Sequence, residues 1–503
     1  MYTPYFLENV MKRSSGIIMH ISSLPSEFGI GTLGDEACKF ADRLAMAGQR
    51  VWQVLPLNQT GYGDSPYQSV SAFAGNPYFI DLARLGEKGL LPRRVLDALR
   101  EMPSDERYVD YGSLYNTRYE IFKIAYTAGY NTDSVRVKIF EQENEYWIHD
   151  YALFMACKKY FGQKPWYEWD DESIRNHTKA GIEKYSELLY NDVCFYTYIQ
   201  YLFFEQYRDF KNYTESVGVS MLGDLPIYCA YDSVDVWAHR ELFLLDSENR
   251  PVWVAGVPPD YFSEDGQLWG NPLYDWEKLK KTSYKWWIER IRVADRLFDA
   301  VRIDHFRGLE SYFAIPFGDQ NARGGHWEKG PGMSFVRALK RNFPELDIIA
   351  EDLGILTDEV RKLLSDSGLP GMRVLQFAFS AGSHSTYQPH VYEKNCVCYT
   401  GTHDNNTLRG WFDEMSEADK EYARDYMGLS EDEGYEFGVI RTGMQSVADL
   451  FMAQMQDYLC LGSEHRMNVP SRSEGNWRFR VLKDEFTDTL AEKIKKLTYL
   501  YER

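Results

Sequence analysis

Seven short apolar runs constrain what this 503-residue chain can fold into more than any other feature of its sequence. The runs are five or six residues long and rich in apolar side chains, and several end at a polar residue followed by Gly, Pro or Asn. They cover residues 16–20, 51–56, 219–224, 300–304, 347–351, 373–377 and 396–400. Near-continuous apolar runs of this kind are typical of strands that are buried on both faces, as in a parallel sheet.

Helical patterns separate the predicted strands. In residues 35–48, apolar residues recur on one face, the first turn carries Asp35 and Glu36, and Gly48 ends the pattern. Strands that alternate with helices indicate an α/β fold. Seven or eight such units predict a closed TIM (β/α)8 barrel.

The spacing between the runs predicts two insertions in that barrel. Later strands follow one another after 24 to 47 residues, whereas 169 residues separate positions 51 and 220, and 81 separate positions 220 and 301. We expect a large, mostly helical insertion after strand 2, because the first gap is charged and helix-like. We expect a loop-rich insertion with an active-site lid after strand 3, because the second gap is rich in Trp, Pro and Gly. The predicted division is strands 1 and 2 in residues 1–84, the helical insertion in 85–215, strand 3 in 216–230, the loop-rich insertion in 231–298 and the rest of the barrel in 299–503.

Four predicted strands end on acids, namely Asp224, Asp304, Glu351 and Asp404. Because catalytic residues of a barrel lie at the carboxyl ends of its strands, we expect these acids to converge on one mouth. Retaining glycoside chemistry needs one carboxylate to attack the anomeric carbon and one carboxyl group to protonate the leaving oxygen, about 5–5.5 Å apart. When two carboxylates lie this close together, the pKa of at least one of them rises, which helps to keep the acid protonated.

Each of these residues also has a purely structural interpretation. A strand-end Asp is often the N-cap of the next helix. Arg302 points to the same strand face as Asp304, because the two lie two residues apart. Arg302 either forms a structural ion pair or acts as a cation that keeps Asp304 ionised.

The sequence offers no pattern for a metal or a phosphate-bearing cofactor. His20, His305 and His403 also lie at strand ends, but on separate strands and without HxH or HExxH spacing. Residues 61–65 lack the GK[ST] ending of a phosphate-binding loop. We therefore expect neither a metal site nor a cofactor.

Longer motifs carry a resemblance to a known family. The chain resembles the 4-alpha-glucanotransferases of the amylomaltase (disproportionating enzyme) family, which are relatives of the α-amylases. The similarity covers essentially the whole chain except residues 85–200. The matching stretches are residues 14–17, 22–26, 52–57, 61–67, 76–78, 223–228, 254–272, 302–308, 350–354, 401–405 and 476–477.

The resemblance implies transfer of α-1,4-glucan segments to the 4-hydroxyl of glucose or a maltooligosaccharide. The implied mechanism is a retaining double displacement. In it Asp304 is the nucleophile, Glu351 the general acid and then base, and Asp404 the stabiliser of the transition state. The residues implied to bind substrate are Arg302, His403, Asp224, Tyr62, Ser65, Gln267 and Trp269, with residues 256–272 forming a lid that excludes water.

The chain departs from the family pattern at positions outside the three acids. Residues 377–382 contain no acid where many relatives carry one that touches substrate, which puts subsite contacts there in doubt. Asn406 replaces a frequent Asp, and Ser471 a frequent Gly.

Charge and cysteine content exclude several classes of partner and compartment. Lys and Arg number 56 against 75 Asp and Glu, which gives a net charge of −19. Such a chain repels phosphate backbones and anionic lipid, so neither nucleic acid nor a membrane is an expected partner. Seven cysteines without a CxxC pair, and an N-terminus without an apolar run, predict a cytoplasmic protein with free thiols. The oligomeric state stays open.

Other kinds of protein share most of these features. An α-amylase or α-glucosidase would use the same three acids with water as the acceptor. The lid motif, the short stretch after Asp404 and the lack of a secretion signal argue against it. A non-catalytic glucan-binding protein would be expected to have lost an acid, and all three are present. A branching enzyme would be recognised by new α-1,6 linkages.

Overall fold

A computed structural model describes residues 12–61, 63–102, 104–259, 264–354, 356–382, 384–470, 472 and 474–503. The strands are β1 (Ser14–Ile18), β2 (Val51–Gln53), β3 (Ser220–Leu225), β4 (Trp253–Val257), β5 (Gln267–Pro272), β6 (Ala300–Ile303), β7 (Ser311–Pro316), β8 (His326–Lys329), β9 (Asp347–Ala350), β10 (Gly371–Val374), β11 (Cys396–Tyr399) and β12 (Leu450–Gln454).

The helices lie mainly between these strands. They are α1 (Asp35–Met46), α2 (Leu82–Glu87), α3 (Arg93–Arg100), α4 (Tyr111–Glu143), α5 (Ile148–Tyr160), α6 (Glu172–Arg175), α7 (Lys179–Leu188), α8 (Tyr190–Ser216), α9 (Val234–Ala238), α10 (Trp276–Lys281), α11 (Lys285–Leu297), α12 (Met333–Asn342), α13 (Asp358–Ser367), α14 (Leu408–Glu414), α15 (Glu417–Met427), α16 (Tyr435–Gln445), α17 (Met455–Tyr458) and α18 (Asp488–Leu500).

Eight parallel strands form a barrel, which confirms the predicted TIM fold. Their order is β10, β11, β12, β1, β2, β3, β6 and β9. Two hydrogen bonds connect the last strand of this order and the residues after it with the first strand and the residue before it. The N–H of Ala350 donates to the carbonyl of Pro370 at 2.9 Å, and the N–H of Met372 donates to Oδ1 of Asp352 at 2.6 Å. All the strand ends that carry acids therefore open onto one mouth.

The strand β12 is absent from the seven runs identified in the sequence. It lies between β11 and β1 and is fully buried. Its residues Leu450–Gln454 contain no β-branched side chain, and Leu, Met and Ala are strong helix formers. Its intrinsic propensity therefore favours a helix, and burial in the barrel overrides that preference.

The helices between β2 and β3 support a loop at the barrel mouth. Gln200 of α8 exchanges two hydrogen bonds with the backbone of Gly75, each 2.9 Å long. Gln206 binds the backbone N–H and carbonyl of Asp81 in the same way, at 2.7 and 3.1 Å. The long helix α8 thus holds the loop that follows β2. Aromatic rings fill the space behind it, with Trp147 lying 5.8 Å from Phe204.

A second, antiparallel sheet lies beside the barrel in the order β5, β4, β7 and β8. The strands β4 and β5 belong to the region expected to be loop-rich, which also holds α9, α10 and α11. The strands β7 and β8 come from residues that the sequence analysis assigned to the barrel. These two strands lie outside the barrel sheet, because β7 pairs with β4, for example Ala314 with Ala255, and β8 pairs with β7.

Two further observations concern the environment of the chain. No helix among the described residues is long and apolar enough to cross a bilayer. All seven cysteines are free thiols, and five of them are buried.

Candidate active site

The barrel places two acids side by side at its mouth. Strands β6 and β9 pair with Ile303 opposite Ala350, and the next residue of each strand is Asp304 and Glu351 respectively. The N–H of Glu351 donates to the carbonyl of Ile303 at 3.0 Å, which fixes the two residues relative to each other. Asp224 lies within β3, which pairs with β6 on its other side.

Arg302, Asp224 and Tyr67 form a buried network beneath Asp304. The guanidinium of Arg302 binds both carboxylate oxygens of Asp224, at 2.9 and 2.6 Å. The Tyr67 hydroxyl donates to Asp224 Oδ2 at 2.5 Å. The guanidinium also reaches Asp304 Oδ1 at 3.3 Å, so it links a fully buried carboxylate to a partly exposed one.

This network bears on the expected contact between Asp224 and a sugar hydroxyl. The side chain of Asp224 has no exposed surface, and Arg302 and Tyr67 occupy both of its oxygens. Asp224 can therefore reach a sugar only if Tyr67 or Arg302 moves. In the present geometry it orients the cation that contacts Asp304.

Backbone amides hold Glu351. Its Oε2 accepts from the N–H of His305 at 2.7 Å, and its Oε1 accepts from the N–H of Leu353 at 2.8 Å. His305 has a left-handed backbone, with φ of +47°, which turns the chain sharply after β6. Each carboxyl oxygen of Glu351 retains a second lone pair for a proton.

Side chains hold Asp404, which follows β11. The Asn468 amide donates to Asp404 Oδ1 at 2.6 Å, and Nε2 of His403 lies 3.2 Å from the same oxygen. The ring of His403 stacks on Tyr67 with centroids 5.0 Å apart. Asp404 itself is 48% exposed, so it faces the open mouth.

Burial and neighbouring charges shift the pKa values of both neighbouring acids upward. Burial raises the pKa of Asp304 well above its ordinary value, the Arg302 guanidinium opposes that rise, and the carboxylates of Asp224, Glu351 and Asp404 add to it. Burial likewise raises the pKa of Glu351, against the effect of Arg302 and of the two backbone N–H groups. Arg302 also contacts Asp304 directly, and this contact favours the ionised form of Asp304.

The histidines at the mouth are neutral. Burial lowers the pKa of His305 to about 3, and it lowers the pKa of His20 to about 3, assisted by His403. Burial also lowers the pKa of His403, although Asp404 partly compensates. In the part of the chain that the structure describes, His, Cys, Asp and Glu side chains do not gather in groups of three that could hold a metal ion.

The predicted lid contains a hairpin. Strands β4 and β5 are its two arms, and the first part of β5 is exposed. The rings of Trp269 and His305 meet edge to face with centroids 4.9 Å apart, and the Trp269 indole N–H donates to Gln267 Oε1 at 3.0 Å. Residues 260–263, between the arms, lie outside the described residues.

The two remaining predicted binding residues lie in the loop after β2. Ser65 is part of the turn before Tyr67, and its Oγ accepts from the Tyr67 N–H at 3.3 Å. Tyr62, also predicted to bind substrate, is outside the described residues.

Three further residues of the site were not identified from the sequence. They are Tyr67, Asn468 and Trp477, and the ring of Trp477 lies 5.8 Å from both Tyr67 and His403. All three lie in or next to stretches that match family motifs, but nothing in the local pattern shows that they meet. Only the fold brings them together, across 64 residues for Asn468 and Asp404.

Comparisons with known proteins show the family of the chain. A family model described as 4-alpha-glucanotransferase matches residues 19–484. The 4-alpha-glucanotransferase of Clostridium butyricum is 46% identical over 96% of this chain and 100% of the relative, and that of Thermus thermophilus is 42% identical over 98% and 99%. The structure of amylomaltase from Streptococcus agalactiae in complex with acarbose superposes with a TM-score of 0.95 at 38% identity, covering 98% of this chain and 100% of that one. The chain belongs to the 4-alpha-glucanotransferase family.

Proposed function

We propose that this enzyme transfers α-1,4-glucan segments from a donor to the 4-hydroxyl of glucose or a maltooligosaccharide, by a retaining double displacement. The observation that carries the proposal is the pairing of β6 with β9, which sets Asp304 beside Glu351. Arg302 contacts only the first of these carboxylates directly. Two adjacent carboxyl groups in unequal environments suit one nucleophile and one acid.

In the first half of the reaction a carboxylate oxygen of Asp304 attacks the anomeric carbon of the donor. As the glycosidic bond breaks, the proton of Glu351 passes to the leaving oxygen. The shortened glucan departs, and a glucosyl ester on Asp304 remains. Asp404 accepts hydrogen bonds from the distorted sugar, which strengthen as positive charge develops at the anomeric centre.

In the second half Glu351, now ionised, takes the proton from the 4-hydroxyl of the acceptor sugar. The acceptor oxygen attacks the anomeric carbon, and the bond to Asp304 breaks. Both carboxyl groups return to their starting states, and the configuration at the anomeric carbon is retained.

Transfer rather than hydrolysis requires that a sugar reach the ester before water does. We attribute this to the hairpin of β4 and β5, whose Trp269 lies against His305, the residue after Asp304. Covering the ester with an apolar ring excludes water and leaves an aromatic surface for the acceptor sugar. Gln267 holds that ring through the indole N–H.

We further propose that the enzyme acts on α-1,4-glucans and maltooligosaccharides in the cytoplasm, without a cofactor. The seven free thiols suit a reducing compartment. The net charge of −19 disfavours nucleic acid and anionic membranes as partners.

The decisive experiment is incubation of the purified enzyme with maltotriose alone, with products followed by mass. We expect a ladder of longer oligosaccharides and free glucose, with no gain in total reducing ends. Shorter sugars with rising reducing ends would instead identify a hydrolase. New α-1,6 linkages would identify a branching enzyme, and no change would leave a glucan-binding protein.

A further inference from the structure

We propose that Asn468 is a positioning residue that fixes Asp404 for catalysis and keeps it an acceptor. The inference rests on the transition-state role proposed for Asp404. It concerns a residue that lies 64 positions further along the chain.

Asn468 contacts the Asp404 loop in two places. Its side-chain amide donates to Asp404 Oδ1 at 2.6 Å, and its backbone N–H donates to the carbonyl of His403 at 3.2 Å. Asn468 is only 8% exposed, whereas the side chain of Asp404 is 48% exposed. The buried partner therefore sets the orientation of the exposed one.

Asn468 belongs to a segment that we call the strap, defined as residues 466–470, 472 and 474–477. At one end of the strap, Arg466 donates to the backbone carbonyl of Asp404 at 2.9 Å. At the other end, the backbone N–H of Trp477 donates to the carbonyl of Met467 at 2.7 Å, and the Trp477 ring packs against His403. The strap thus grips both the backbone and the side chain of the loop after β11.

The charged and titratable groups around Asp404 explain why an amide suits position 468. His403 is neutral, Arg466 binds the backbone, and Asp304 and Tyr67 face the carboxylate from the barrel side. An amide N–H₂ donates at every pH and carries no charge of its own. Among the described residues, the Asn468 hydrogen bond and the nearby His403 Nε2 both lie at Oδ1 of Asp404, which leaves Oδ2 toward the open mouth.

Two substitutions at position 468 test the proposal by steady-state kinetics on maltotriose across pH. N468A removes the donor, so kcat should fall roughly tenfold to a hundredfold while KM changes much less. N468D should retain activity at low pH, because a protonated carboxyl still donates one hydrogen bond. Once that proton leaves, two carboxylates repel each other. The kcat/KM of N468D relative to wild type should therefore fall at least about tenfold between about pH 5 and pH 8, while the ratio for N468A stays level.

Asn476 provides the matched control. It lies in the same strap and binds the backbone of Val469 and Arg472, without reaching Asp404. N476D should lower the melting temperature or the overall activity, but its activity relative to wild type should not change with pH. If N468D gives a level ratio, or if N476D gives the same slope as N468D, the positioning role is wrong.

A D404N variant separates this inference from the proposed function. Loss of activity in D404N together with a level ratio in N468D would overturn only the role of Asn468. An active D404N enzyme would overturn the proposed role of Asp404 itself. Melting temperatures of all variants, measured in parallel, exclude unfolding as the cause of lost activity.

Discussion

Glu351 and Asp404 face the same mouth but are held in different ways. Glu351 accepts hydrogen bonds from two backbone N–H groups, one from Leu353, two residues further along, and one from His305 in the turn after β6. Asp404 depends on the side chains of Asn468 and His403. One acid is fixed by the path of the main chain, and the other by the identity of particular residues.

This difference decides how each acid responds to mutation. Backbone donors persist through almost any substitution, so Glu351 loses these two hydrogen bonds only if the barrel itself is distorted. The hydrogen bond to the Asp404 carboxylate is lost when one side chain, that of Asn468, is replaced. The geometry of Asp404 is therefore the more adjustable of the two, for mutation and for evolution alike.

The largest effect is expected from exchanging the two acids for their amides. E351Q should lower maltotriose turnover roughly 10³-fold, because the leaving oxygen needs a proton. D404N should lower it by roughly 10² to 10³-fold, because a transition-state contact is lost. A maltosyl fluoride donor distinguishes the two, since fluoride departs without a proton.

With that donor, formation of the ester should return close to the wild-type rate in E351Q and stay slow in D404N. Burst measurements of fluoride release would show this directly. Equal recovery in both variants would mean that the two acids do not have separate roles.

An intermediate effect is expected from W269A. Trp269 packs against His305, whose backbone N–H donates to Glu351. The substitution therefore removes the ring that shields the site from water, but it leaves the hydrogen bond to Glu351 in place. The ratio of hydrolysis to transfer should rise about tenfold, while proton transfer by Glu351 continues. Total reducing ends and product mass, followed together, give this ratio.

Trp253 serves as the control for W269A. It lies in the same sheet but packs against His326 instead of the catalytic loop. W253A should leave the ratio of hydrolysis to transfer unchanged. An unchanged ratio in W269A as well would remove the hairpin from the explanation of transfer.

The smallest effect is expected on thermal stability, from D304N. The pKa of Asp304 is raised in the folded protein by burial and by the neighbouring carboxylates. Its ionisation therefore costs folding stability once the pH exceeds the value of about 3.9 for the unfolded chain. An amide avoids that cost, so D304N should melt on the order of 1–3 °C above wild type at neutral pH.

The size of this gain in stability depends on pH. It should be absent below about pH 4, grow as the pH rises toward the folded pKa of Asp304, and stay constant above that pKa. Melting curves at several pH values would show the trend. A less stable D304N at neutral pH would mean that the contact between Arg302 and Asp304 outweighs the repulsion.

The sequence predicts the backbone-held half of the site better than the side-chain-held half. Asp304 and Glu351 are recognisable because each directly follows an apolar run, and parallel strands place their ends together. Asn468 and Trp477 follow no such run, and their contacts with Asp404 and His403 arise only after the barrel has closed. The strand β12 escapes prediction for a related reason, because its side chains favour a helix.

The position of β12 has a consequence for how the protein is made. This strand sits between β11 and β1, so the barrel of a nascent chain stays open until residue 454 has been synthesised. Asn468, which donates to Asp404, is made later still, 64 residues after Asp404. At about 5–20 residues per second, a ribosome needs roughly 3–13 s to cover that distance. During synthesis Asp304 and Glu351 are therefore in place well before Asn468, the residue that holds Asp404, so full activity has to wait until Asn468 has been made.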